Sequence, residues 1–331
     1  MRLQNVLALT HGKLINEPFV NIFTNIVLQA KDVKRGDLFM AFDVLDIQEA
    51  LFNGAYGVIF NKPTQISDDE IAWIKVKECE DALKRLLRFR LIEKDVTVYE
   101  CNEIVLKLSF QVITEPNFIA VNGDIKSIHK QLWHVDNNST LLFCHKMCDK
   151  NIFTDIKQLP TTAIEPITIM EQTLFETSFI YDNTFCERQL ISPFFMPYLE
   201  ELLHLYKILK INYRLRKFTP INHFEAVFTN KNFEIKEFGT SDKVLIFESN
   251  TDLVEQEISF LQKNASWANL IYLIPHAVDG IEDENIFIYE SSNKIIDILK
   301  NNSFHFALII GVDKSILSKP ITNQAQLTLD F

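Results

Sequence analysis

A chain of 331 residues, 47% hydrophobic and 23% charged, is too long for one ordinary domain and too apolar to be disordered throughout. Its formal net charge of −11, with no basic cluster to offset it, excludes a general nucleic-acid binder, whose affinity rests on neutralising phosphates. The five cysteines are few and scattered, and no charged-then-apolar leader opens the chain, so reduced thiols in a cytoplasm are expected. The longest apolar runs, such as Phe306 to Val312, are strand-sized and far short of a membrane span.

Taken in order, short apolar runs predict strands at Asn5–Leu9 and within Phe19–Leu28. Gly36-Asp37 is a turn signal before the apolar run Leu38–Phe42. A short helix through Ala50–Phe52 then closes at Asn53-Gly54 ahead of a Val58–Phe60 strand. Ile74–Val76 reads as a further strand, and Cys79–Leu91 as a helix with Ala82, Leu83, Leu86 and Leu87 on one face. Val96–Tyr99 and Leu141–Phe143 read as strands and Ile104–Val112 as a helix, before the chain thins to polar, proline-punctuated segments around Pro160 and Pro166. A helix from Phe194 to Ile211 carries Tyr198, Leu199, Leu202, Leu203, Tyr206 and Leu209 on its apolar face. The remainder alternates. Strands are expected at Phe224–Phe228, Phe233–Phe238, Lys243–Phe247, Asn269–Ile274, Ile286–Tyr289 and Phe304–Val312, with helices at Asp252–Lys263 and Asn293–Lys300. A mainly parallel sheet with crossover helices accommodates that pattern.

The stretch Gly36-Asp37-Leu38-Phe39-Met40-Ala41 resembles the G-D-L-F-x-A strand of the Mur ligases, in particular the type that adds D-alanyl-D-alanine to UDP-muramoyl tripeptide. Ala50 to Ile59 is similar to the A-x-x-x-G-A-x-x-v-v unit that follows it there, and Ile74 to Leu87 to the next strand and helix. The resemblance implies an α/β, multi-domain chain: a small substrate-type domain over 1–92, a reduced central domain over 93–220, and a Rossmann-like, mainly parallel domain over 221–331. The family's uridine-binding Asp-Ser-Arg triplet falls on Gln29-Ala30-Lys31, so its hydroxyl and forked guanidinium are gone. Lys31 and Asn53 remain as the substrate-binding candidates.

Glycine is scarce, at eight residues, and no spacing among them makes a phosphate-cradling loop. Where the resemblance places the family's T-G-S/T-x-G-K-T/S loop, the chain reads Glu100-Cys101-Asn102-Glu103. The candidates for a relic nucleotide site are Gly123, Lys126 and Ser127, with one glycine among them, and Glu248, which stands in the place of the family's later acidic pair. The family arginine ahead of the last domain is absent, with His223 nearby.

Cys144, His145 and Cys148 have the side chains of a zinc site but not its paired C-x-x-C spacing, so reduced thiols are expected and no metal ligand is assigned. No H-E-x-x-H or G-x-S-x-G motif occurs, and no catalytic residue is assigned. The tail Gln326-Leu327-Thr328-Leu329-Asp330-Phe331 resembles peptides that dock on the bacterial sliding clamp, although a terminal edge strand is the preferred reading. The resemblance implies a non-catalytic paralogue that binds or scaffolds in peptidoglycan precursor synthesis, its partners being cell-wall precursor enzymes or a UDP-muramoyl peptide, with no cofactor. The alternatives are an active ligase using ATP and Mg²⁺ through an atypical site, or an unrelated interaction protein working through its tail.

Overall fold

A computed structural model of the chain describes residues 1–161, 165–241, 243–276 and 284–318. The tail from Gln324 therefore lies outside the described residues. The described chain is α/β and forms two compact units. The first comprises Met1–Phe110, Thr114–Thr161 and Leu205–Tyr213; the second comprises the described residues of Gln111–Ile113, Thr162–His204 and Arg214–Phe331.

In the first unit a five-stranded sheet runs in the order Lys13–Leu14, Ala72–Lys75, Gly57–Phe60, Leu38–Ala41, Ile26–Val27. All its pairings are parallel except that of Lys13–Leu14. Its alternation explains the apolar runs. Leu38 and Met40 enter one core with Ile59, Ala72 and Ile74, while Phe39 and Ala41 enter another with Val58, Phe60 and Trp73. A strand covered on both faces needs apolar residues at every position. The Cys79–Glu93 helix closes the first face with Ala82, Leu83, Leu86 and Leu87, and Ile47 and Ala50 of the Ile47–Phe52 helix close the second. Gly57 is required by close approach, since a Cβ there would lie 2.9 Å from both Leu38 Cδ1 and Phe23 Cε1.

A second sheet of the same unit, in the order Ile156–Gln158, Thr97–Glu100, Thr140–Phe143, Phe118–Val121, is parallel throughout. The Glu103–Ser109 helix follows its Thr97–Glu100 strand, and the Ile125–Leu132 helix follows Phe118–Val121.

The second unit contains a three-stranded antiparallel sheet, Thr168–Gln172, Thr177–Tyr181 and Thr184–Gln189. Its other sheet runs Glu225–Thr229, Lys243–Glu248, Phe306–Ile310, Leu270–Ile274, Ile286–Ile288, and only the Glu225–Thr229 edge is antiparallel. Helices Val254–Asn264 and Ser292–Asn301 provide crossovers.

Three expectations are corrected. Asn5–Leu9 lies within a helix, Leu3–Thr10, because its buried residues Leu3, Val6 and Thr10 recur at helical spacing. Phe233–Phe238 is not a strand, since the Asn230 side chain folds the segment back by accepting from Asn232 N at 2.9 Å and Glu234 N at 3.0 Å. The thinned region beyond Pro166 carries the three-stranded sheet. Among the described residues no helix is long and apolar enough to cross a membrane.

Candidate functional site

A cleft of about 680 Å³ opens in the first unit. One wall comes from residues of the 25–46 stretch, including Gln29, Lys34 and Phe42; the other comes from Lys126, His129, Lys130, Trp133 and His134. Two of its carboxylates are committed to the backbone. Asp37, 3% exposed, accepts from Lys34 N at 2.9 Å, and Asp43 accepts from Leu45 N at 3.1 Å. The ammonium groups of Lys34, Lys126 and Lys130 form no ion pair among the described residues, unlike Lys84 with Asp149 at 2.8 Å or Lys107 with Glu103 at 2.7 Å. Lys126 Nζ lies 3.9 Å from the Phe42 ring centroid, a cation–π contact within the cleft wall.

His129 has one turn of its helix between itself and Trp133, and the two rings stack at 4.9 Å. Its ring is buried and its Nε2 has no hydrogen-bond partner. Burial, reinforced by the nearby His134 and opposed by a hydrogen bond to the Ile26 backbone, pushes its pKa down to about 4. At neutral pH the imidazole is uncharged.

Of the two sequence-derived substrate candidates, Asn53 spends its Nδ2 on the Ala30 carbonyl at 2.9 Å, and Lys31 is exposed on the turn that this bond holds. Gln29 rather than Lys31 lines the cleft.

The place expected for the triphosphate loop is occupied by the chain's own acceptors. Asn102 Oδ1 accepts from Val105 N at 2.9 Å and so caps the Glu103–Ser109 helix. Glu100 Oε1 lies 2.8 Å from His145 Nδ1, and its other oxygen accepts from Gln158 Nε2 at 3.3 Å. Glu103 pairs with Lys107. Gly123, Lys126 and Ser127 are adjacent at the start of the Ile125–Leu132 helix, with Gly123 at φ +104°. Ser127 N is already donated to Asp124 Oδ1 at 2.9 Å, and those hydrogen bonds from Ser127 hold the Asp124 carboxyl below its usual range. The Asp-x-x-Ser spacing is an N-cap signal, and with it in view the sequence already places an anion where a phosphate would sit.

Glu248 belongs to the second unit and is fully buried. His223 Nδ1 lies 2.8 and 3.0 Å from its two oxygens, while Phe224 N and Asn250 N donate to it at 3.1 and 2.6 Å. A carboxylate at Glu248 only accepts, which matches the Nδ1–H tautomer of His223. Fully buried Glu257 adjoins Glu248; desolvation, then repulsion by and hydrogen bonding to Glu248, raise its pKa well above the ordinary value. His223 and Glu248 were both legible as residues of interest, but not as partners 25 positions apart.

The Cys144 and Cys148 thiols are buried, and burial pushes the Cys148 pKa up to about 12, which disfavours the thiolate a metal would need. Among the described residues no group of three or more His, Cys, Asp or Glu side chains is arranged to hold a metal ion.

No family model and no curated protein matches the sequence. The fold is similar to solved Mur ligase structures. They include MurF from Acinetobacter baumannii, at 10% identity and TM-score 0.49 over 93% of this chain and 95% of that one. Another is MurF ligase from Thermotoga maritima in complex with ADP, at 13% identity and TM-score 0.47 over 88% and 94%. A third is UDP-N-acetylmuramoylalanyl-D-glutamyl-2,6-diaminopimelate–D-alanyl-D-alanyl ligase from Acinetobacter baumannii, at 11% identity and TM-score 0.43 over 93% and 94%.

Proposed function

We propose that this chain is a non-catalytic, Mur-ligase-like binding protein of cytoplasmic peptidoglycan precursor synthesis, which holds a UDP-muramoyl peptide in the first-unit cleft and does not use ATP. The observation that carries this reading is the self-capped helix start at Asn102, flanked by Glu100 and Glu103. Phosphate binding at a helix start uses free backbone N–H groups and the positive end of the helix dipole. Here Asn102 takes a donor and two carboxylates oppose any further anion. Acyl-phosphate ligation needs a stabilised triphosphate and Mg²⁺, so the frame is that of a ligase and the chemistry is not.

The cleft supports the binding half of the proposal. Its lining carries Lys34, Lys126 and Lys130, which form no ion pair among the described residues, beside Asp32, Asp37, Asp43 and Asp46. With Asp37 and Asp43 committed to the backbone, a diphosphate is held only where it lies on the lysines and away from Asp32 and Asp46. The 25–46 wall includes the Gly36–Ala41 segment that resembles the Mur ligase substrate domain. Calorimetric titration of UDP-muramoyl tripeptide tests it. Binding to the native chain is expected to weaken with added salt, and about tenfold or more in the double variant Lys34→Glu, Lys130→Glu. No binding at millimolar ligand, or an unchanged affinity in the double variant, contradicts the reading.

A further inference from the structure

In the first-unit cleft a charge of one wall rests on a ring of the other. Lys126, exposed on the Ile125–Leu132 helix, holds its Nζ 3.9 Å from the ring centroid of half-buried Phe42, and both residues line the cleft. An ammonium at that distance covers a ring face that a planar ligand would otherwise reach. Lys126 forms no ion pair among the described residues, and the neighbouring Asp124 is committed to Ser127 N. Lys130 follows one turn later on the same helix, lines the same cleft and is also without an ion pair among the described residues. An exposed cation–π contact is weaker than the charge-assisted hydrogen bond that an ammonium gives a phosphate, so the resting contact yields to an anion but not to a neutral molecule.

We propose that Phe42 and Lys126 are the specificity-determining pair of the cleft: the diphosphate draws Lys126 off the ring, and the uncovered Phe42 face stacks the nucleobase. This rests on the precursor-binding reading above and deepens it. Asp32, Asp43 and Asp46 share the lining, so the anion lies along the helix that carries Lys126 and Lys130. A nucleobase presents a flat π face that suits an aromatic side chain. The pair thereby selects a planar ring joined to a diphosphate over either part alone. A neutral nucleoside meets a covered ring, and a free anion gains the lysines without the stack.

Nuclear magnetic resonance of the full chain reads the resting contact and its release. In the free native chain the Lys126 Hε protons are expected upfield of their ordinary position, shielded by the Phe42 ring, and the shift is expected to vanish in Phe42→Leu. Titration with UDP-muramoyl tripeptide is expected to return them downfield while the Phe42 ring resonances move. Affinities then separate the two residues. In Lys126→Ala the dissociation constant for the tripeptide is expected to rise about tenfold or more, whereas uridine binds at least as tightly as to the native chain because no ammonium covers the ring. Phe42→Leu is expected to weaken both ligands. Where the tripeptide binds the native chain, three results overturn the assignment alone: an unshifted Lys126 in the free chain, equal weakening of uridine and tripeptide in Lys126→Ala, or unchanged affinities in Phe42→Leu. Uridine that leaves the Phe42 ring of Lys126→Ala unmoved at saturating concentration overturns it as well. Failure of the tripeptide to bind the native chain overturns the precursor reading and the assignment with it.

Discussion

Replacing Glu248 by alanine is expected to cost about 3–5 kcal/mol and to lower the melting temperature of the second unit sharply. The carboxylate is fully buried and accepts from the His223 ring and from two backbone N–H groups, Phe224 and Asn250. Removing it strands all three donors away from water. It also releases Phe224, which is held at φ +44°, an unfavourable conformation for a bulky side chain. That conformation places the Phe224 ring 5.5 Å from those of Phe194 and Phe260, so the carboxylate anchors an aromatic cluster as well as a charge. Glu248→Gln is expected to recover little, because its amide can accept on only one side while N–H donors converge on both oxygens. Urea denaturation followed by intrinsic fluorescence measures the loss; a cost below about 1 kcal/mol for Glu248→Ala contradicts this account.

Glu257→Gln has the opposite sign. The folded pKa of Glu257 is raised, chiefly by burial and then by Glu248, so the folded chain holds a proton that the unfolded chain gives up above its ordinary value of 4.5. The native form therefore has this group's full contribution below that value and loses it as pH rises. Glutamine keeps the shape and is neutral at every pH. The variant is expected to match the native chain near pH 4 and to exceed it by on the order of 1–3 kcal/mol at pH 8. Melting curves at both pH values decide the matter, and equal destabilisation at the two would contradict it.

Much of the fold was readable because local pattern and tertiary role agree. Leu38–Ala41 and Gly57–Phe60 are apolar at successive positions since both faces of their sheet are covered, and Gly36 and Asn53-Gly54 punctuate them. Leu3–Thr10 was misread because a short apolar run has no decisive period. The antiparallel sheet beyond Pro166 went unseen although its turn is written in the sequence. Tyr181 pairs with Thr184 across Asp182 and Asn183, both at positive φ, the signature of a two-residue hairpin turn. Its first strand, Thr168–Gln172, is exposed along its length and so carries no alternation to find. In the candidate site, the acids of the expected phosphate loop were legible, and so was Lys126. The unpaired state of His129 and the His223–Glu248 contact were not, because both depend on which distant residues surround a side chain. Sequence spacing does not encode that.

The central claim of the proposed function is that this chain has no nucleotide seat at either helix start. A carboxylate about 4 Å from a phosphate costs about 4 kcal/mol at an effective dielectric near 20, roughly a thousandfold in affinity. Glu100 and Glu103 flank one helix start, and Asp124 caps the other. Calorimetric titration of ATP–Mg²⁺ into the native chain tests this most directly. No binding is expected up to millimolar nucleotide, whereas micromolar binding that disappears in Lys126→Ala would contradict the claim and identify Gly123–Ser127 as a working phosphate site.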